Sequence, residues 1–284
     1  MRFAFFGTPD IAVTSLNEMQ KQGFIPELII CNPDAPVGRK QIITPPPTKI
    51  WAESQNIPVF QPKNLKDKEN LTPLTDTEFD FFVVLAYGKI MPAWLIDLPK
   101  YGTINAHPSL LPKFRGASPI RSTLLHDLSA AGVTIMQMDA ELDHGPILKQ
   151  QAVPLDVPIR GRELDSKLAT LSGTLLVETM QEIIDNPIVP IPQEHHAATY
   201  CSKISKDMAE VHIDPLNLPS GRDAYDIYRK FCAFDGWPGV YFLHQGKRIK
   251  ITDATYNPAT ETVVIHQVIP EGKKAMPFSQ YFKV

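Results

Sequence analysis

Residues 79–86 read Phe-Asp-Phe-Phe-Val-Val-Leu-Ala, an almost unbroken apolar run. A segment so short and so uniformly apolar has no face to offer water, so it predicts a strand buried on both sides. Such strands need covering layers, which come from helices that connect parallel strands. The first half of the chain supplies the matching parts. Residues 2–6 form an apolar strand. Thr8 is placed to cap a helix, with Pro9 at its first position. Ala12, Leu16 and Met19 recur at helical spacing, and Gly23 suits the helix end. Residues 27–31, 58–60, 102–106 and 132–138 read as further strands, and residues 49–55 as a helix. Residues 161–185 read as a long helix with Leu164, Leu168, Leu171 and Leu175 on one stripe, stopped by Asn186-Pro187.

Pro187, Pro190 and Pro192 then space out a polar stretch, as a linker would. Beyond it, residues 223–232 form a helix capped by Ser220 with Asp223 three positions on. Residues 239–243, 247–253 and 262–268 follow as short strands. The expectation is an α/β protein: a Rossmann-like, mostly parallel sheet domain over residues 1–186, a linker over 187–204, and a small β-rich domain over 205–284.

Composition sets limits. The formal net charge is −3, and residues 205–284 carry ten Lys and Arg against nine Asp and Glu. Any nucleic-acid contact must use local patches rather than a global field. The cysteines, Cys31, Cys201 and Cys232, are odd in number and far apart. They read as reduced, packed thiols, not a disulfide framework or zinc site. No apolar run has the length of a membrane span. The first run stops at Gly7-Thr8-Pro9-Asp10 and so does not read as a signal peptide, which places the chain in the cytoplasm.

That tetrapeptide follows the first strand but is not G-x-G-x-x-G, and no Walker A motif is present, which argues against NAD or ATP enzymes. Residues 102–120 are more informative. Asn105 and His107 lie two apart at the end of a strand, so they share a face. Asn brings an amide donor and His a proton donor or acceptor near pH 7, a pair able to steady an oxyanion. The same spacing also suits a loop histidine beside a capping asparagine. A second polar cluster, residues 139–145 (DAELDHG), follows the strand at 132–138. Asp143 there could orient an imidazole or relay a proton, or simply belong to an acidic turn. A metal set of His107, Asp143 and His144 has no supporting ligand spacing, and no metal is expected.

Taken in order, N-x-H, S-L-L-P, R-G and then D-x-G after the next strand resemble the folate-dependent formyltransferase family. The resemblance implies that Asn105, His107 and Asp143 are catalytic. It implies a 10-formyltetrahydrofolate co-substrate, held by Ser109, Leu110, Leu111 and Pro112. Backbone around Ala86, Tyr87 and Gly88, with Leu142 of the Asp143 turn, would enclose the pterin. Further segments resemble the branch of that family that acts on tRNA: FFGTPDIA, NPDAPVGRK with TPPPTK, YCSKISKDMAEVHID, FDGWPGVYF and PEGKKAM. They imply an initiator methionyl-tRNA acceptor, formylated for translation initiation by a monomeric transferase. Arg39, Lys40, Lys203 and Lys206 would contact the tRNA, as would the basic strand of Lys247 and Arg248. The second domain would be an OB-like barrel, shortened between Tyr256 and Pro270. The rivals are a sugar-nucleotide N-formyltransferase, a glycinamide ribonucleotide transformylase, a folate hydrolase, and an RNA-binding module of the same fold without activity.

Overall fold

The computed structural model describes residues 1–38, 40–186 and 188–283. The chain forms two compact units. The first comprises Met1–Pro119, Ala130–Val153 and Asp165–Cys201; the second comprises Ile120–Ser129, Pro154–Leu164 and Ser202–Val284.

The strands of the first unit are, in chain order, β1 (Phe3–Phe6), β2 (Leu28–Ile30), β3 (Ala35–Val37), β4 (Ile42–Thr44), β5 (Val59–Phe60), β6 (Phe81–Val84), β7 (Thr103–His107), β8 (Arg115–Gly116), β9 (Gly132–Gln137), β10 (Ile147–Ala152) and β11 (Tyr200–Cys201). Four helices lie between them: α1 (Asp10–Lys21), α2 (Pro47–Ser54), α3 (Thr72–Thr75) and α4 (Ala93–Ile96). Two more, α5 (Pro119–His126) and α6 (Gly161–Asp185), draw residues from both units. Seven strands make the main sheet, in the order β10-β9-β7-β6-β1-β2-β5. The run from β7 to β5 is parallel, and β9 and β10 are antiparallel.

Every residue of β1, β2, β6 and β7 is buried, as the apolar run at residues 79–86 requires. Phe6 and Phe82 meet across neighbouring strands with ring centroids 5.1 Å apart, inside a cluster that includes Ala4, Ile30, Leu74 and Leu95. Each such buried Phe, Ile or Leu side chain contributes about 1.5–3 kcal/mol. Helix α1 closes with a paired backbone cap. Phe24 N–H donates to Met19 O and Gly23 N–H to Gln20 O, and Gly23 takes the left-handed conformation.

Its start differs from expectation. Pro9 occupies the cap position and no side chain caps the helix. The Thr8 hydroxyl instead accepts from the Asn32 backbone and side chain, which tie the first strand turn to the second. On α6, Leu171 is only half-buried and Ser172 is buried in its place, with its hydroxyl returned to Leu168 O. The buried face of the helix also runs through Ala169, Leu176 and Met180, which centres it to one side of the leucine row and leaves Leu171 at its margin. Pro187, expected to stop this helix, lies outside the described residues.

The second unit carries α7 (Gly221–Ala233), α8 (Phe278–Phe282) and the strands β12 (Tyr241–His244), β13 (Lys247–Asn257), β14 (Thr262–Pro270) and β15 (Met276–Pro277). The strands pair in that order as an antiparallel sheet. This is the small β-rich unit expected from sequence, and Glu210 bridges onto β12 at Tyr241. Gln245 and Gly246, both at positive φ, make the two-residue turn between β12 and β13. Ala224, Ile227 and Phe231 on one face of α7 join Phe242, Ile249, Ile251, Val263 and Ile265 in a single core. Ser220 stands at the α7 cap position, but its side chain makes no capping bond. The other stretches of this unit are bonded into it. Arg160 pairs with Asp235 at 2.6 Å and lies over the Phe231 ring, Cys232 Sγ reaches Pro158 O, and Arg229 Nε donates to Leu124 O.

Among the described residues no helix is long and apolar enough to cross a membrane.

Candidate active site

Strand β7 carries Asn105 and His107 on one face, and its neighbours β6 and β9 fix it by pairing Val84 with Asn105 and Thr134 with His107. Asn105 is 9% exposed and His107 4%. His107 Nε2 lies 2.9 Å from the Phe114 carbonyl. A carbonyl can only accept, so that nitrogen carries a proton. The other nitrogen, Nδ1, faces Asp143 Oδ1 at 3.6 Å. Asp143 Oδ2 accepts the Gly116 N–H at 2.8 Å. Among the described residues no hydrogen bond engages the Asn105 side-chain amide.

Asp143 follows the C-terminal end of β9, as the sequence places it. Strand β9 runs antiparallel to β7, with Gln137 beside Ile104. Hydrophobic patterning marks a strand but not its direction, and the edge rule applies to parallel strands. The loop after β9 nevertheless brings the carboxylate to His107. Its tightness explains the D-x-G spacing. A Cβ on Gly145 would sit 1.9 Å from Gln137 O, so only glycine fits.

The segments expected to hold a folate are ordered by the sheet. Ala86 and Gly88 follow β6 at φ of 52° and 80°, and both are exposed. Between them Tyr87 turns inward, edge-on to Phe6 at 5.4 Å. Burial pushes its phenol well above the ordinary range. Asn32 Nδ2 donates to Tyr87 O and pins the loop. Leu142, beside Asp143, is 64% exposed, an apolar side chain offered to solvent at the site. Ser109 and Leu111 face inward: the Ser109 hydroxyl donates to Lys113 O, and Leu111 N–H to Thr134 Oγ1. Leu110 and Pro112, both half-buried, are the members of that tetrapeptide with surface to present.

Of the expected tRNA contacts, Arg39 lies outside the described residues. Lys40 is exposed on the hairpin of β3 and β4, which also exposes Val37, Ile42 and Ile43. In the second unit Lys203, Lys206 and Lys247 are exposed. Arg248 is half-buried, its guanidinium 3.7 Å from the centre of the Tyr241 ring.

Three groups at the site escaped sequence reading as functional residues. Arg115, the R of the R-G motif, is 2% exposed and donates through Nε and Nη2 to Gln193 Oε1. Its Nη2 also meets His195 Nδ1 at 2.9 Å. Arginine cannot accept, so this ring nitrogen is an acceptor. His195, itself exposed, stacks on His144 with centroids 4.0 Å apart. His144 in turn meets Asp139 at 2.6 Å. A lone Gln in a Pro-spaced stretch carries no local signal. Only R-G could have pointed here, because a buried Arg always needs acceptors.

The chain belongs to the formyl transferase family. The model described as formyl transferase matches residues 1–180, and that of the formyl transferase C-terminal domain matches residues 221–262. Its relatives include the methionyl-tRNA formyltransferase of Caldicellulosiruptor saccharolyticus, 40% identical over 253 residues that cover 88% of this chain and 78% of that protein. The methionyl-tRNA formyltransferase of Moorella thermoacetica is 33% identical over 305 residues, covering 100% of this chain and 96% of its own. Among solved structures, the methionyl-tRNA formyltransferase of Clostridium thermocellum shares the fold at a TM-score of 0.60 and 15% identity, over 95% of this chain and 98% of that one. An N-formyltransferase from Helicobacter canadensis, solved with folinic acid and dTDP-3-aminofucose, shares it at 0.62 and 20%, over 90% and 91%.

Proposed function

We propose that this chain transfers the formyl group of 10-formyltetrahydrofolate to the α-amine of initiator methionyl-tRNA. The observation that carries the reading is the convergence of Asn105, His107 and Asp143, from two separate motifs, around one buried strand end. The exposed left-handed backbone at Ala86 and Gly88 and the exposed Leu142 side chain suit a flat, polar-edged ring such as a pterin. That folate supplies the activated formyl group. The methionyl amine is itself the nucleophile, so direct attack needs no covalent enzyme intermediate.

As the amine adds, negative charge builds on the formyl oxygen. The Asn105 amide donates to it, and a protonated His107 places positive charge beside it. Asp143 steadies that imidazolium and takes part in removing the proton that the amine must lose; collapse of the adduct then breaks the bond between the formyl carbon and N10 of the folate, which takes up that proton and leaves as tetrahydrofolate. Its own carboxylate is fixed by the Gly116 amide, so little reorganisation is needed. In this reading Ser109, Leu110, Leu111 and Pro112 support the folate-binding wall. Arg39, Lys40, Lys203, Lys206, Lys247 and Arg248 meet phosphate along the tRNA, and binding weakens as salt rises.

The test is formyl transfer from 10-formyltetrahydrofolate to charged initiator tRNA, with charged elongator tRNA and an amino-sugar nucleotide in parallel. Formyl-methionine on the initiator tRNA is the expected product. Turnover on the sugar alone, or release of free formate without transfer, would reassign the acceptor.

A further inference from the structure

Gln193 lies on the stretch after α6 that sequence reading took for a plain linker, yet it is 5% exposed. Its side-chain amide is fully engaged. Nε2 donates to Asp143 O at 3.0 Å and to Gly145 O at 2.7 Å. Oε1 accepts from Arg115 Nε at 3.1 Å and Nη2 at 2.7 Å. The amide can point only one way, because guanidinium groups only donate and carbonyls only accept.

Two consecutive residues of β8 therefore grip Asp143 from opposite ends. Gly116 holds the carboxylate through its N–H, while Arg115 holds the backbone through Gln193. β8 is itself fixed by parallel pairing with β11. The grip matters because Asp143 sits at φ +49°, a conformation L residues seldom adopt without support. At 3.6 Å the carboxylate faces the imidazole at ion-pair distance without a hydrogen bond to hold it there, so its aim depends on how its own loop is fixed.

We propose that Gln193 is a positioning residue for Asp143. Its amide clamps the backbone on both sides of His144 and keeps the carboxylate aimed at His107. The inference rests on the reading of Asp143 as the partner of His107.

The test compares Gln193→Ala, Gln193→Glu, Asp143→Asn and the Gln193→Glu/Asp143→Asn double variant in the formyl-transfer assay. Gln193→Glu keeps the side-chain volume and gives Arg115 an ion-pair partner, while its other oxygen faces the Asp143 and Gly145 carbonyls, so every variant's thermal transition is measured before rates are compared. Gln193→Glu loses both donors to the loop. The expected result is a kcat about ten- to a hundredfold lower, with KM for both substrates within about twofold, as a small misplacement of a catalytic group produces. In the double variant Gln193→Glu should cost less than about threefold beyond Asp143→Asn alone, since it acts through that residue. Full multiplication of the two losses, or an unchanged kcat in Gln193→Glu, would overturn the inference while leaving the catalytic reading in place. An undiminished kcat in Asp143→Asn would sink the catalytic reading, and the inference with it.

Discussion

Asn105 differs from its two partners in how it is held. His107 is bonded to Phe114 and faces Asp143, and Asp143 is bonded to Gly116, whereas no hydrogen bond among the described residues claims the Asn105 amide. A buried amide left available on a strand fixed by two neighbours is poised for a ligand oxygen. Asn105→Ala should therefore lower kcat about 10²–10³-fold, with the thermal transition shifted by no more than a few degrees. A variant within twofold of wild type would remove Asn105 from the reaction. At this scale the sequence was legible wherever a motif is local: N-x-H and D-x-G each sit within a few residues. Gln193 and Arg115 were not, because their contact spans 78 positions and no short pattern encodes it.

Among elements, the loop between β9 and β10 is under the tightest constraint. The space beside Gly145 cannot hold a methyl group, since Gln137 O would lie 1.9 Å from it. Gly145→Ala should destabilise the protein by about 1–3 kcal/mol, the usual range for overpacking, read from denaturant midpoints. It should lower kcat as well, because Gly145 O is one of the two carbonyls that Gln193 holds. A variant of wild-type stability and rate would show that the loop yields. Strands β1 and β6 were readable because they are buried at every residue and apolar throughout. The direction of β9 was not, since the same pattern serves either direction. Caps failed for a related reason. Thr8 and Ser220 have the side chains that caps use, but Thr8 is claimed by Asn32, a partner from another turn.

For the molecule as a whole, the change in composition after residue 186 announced a second, β-rich part, and the structure has one. What composition could not reveal is that this part also recruits Ile120–Ser129 and Pro154–Leu164. Those stretches read locally as ordinary connections of the first half. They supply the Arg160 partner of Asp235, the Pro158 carbonyl that Cys232 reaches and the Leu124 carbonyl that Arg229 reaches. A fragment of residues 205–284 should accordingly show no cooperative thermal transition, whereas the full chain should. A sharp melt in the fragment would mean that α7 and its sheet suffice by themselves. If the fragment does fail, the second part is not a cassette that can be lifted out at one seam. A gene fusion made in the Pro-spaced stretch would graft a sheet without its buttresses, and any working transplant would need three separate inserts in register.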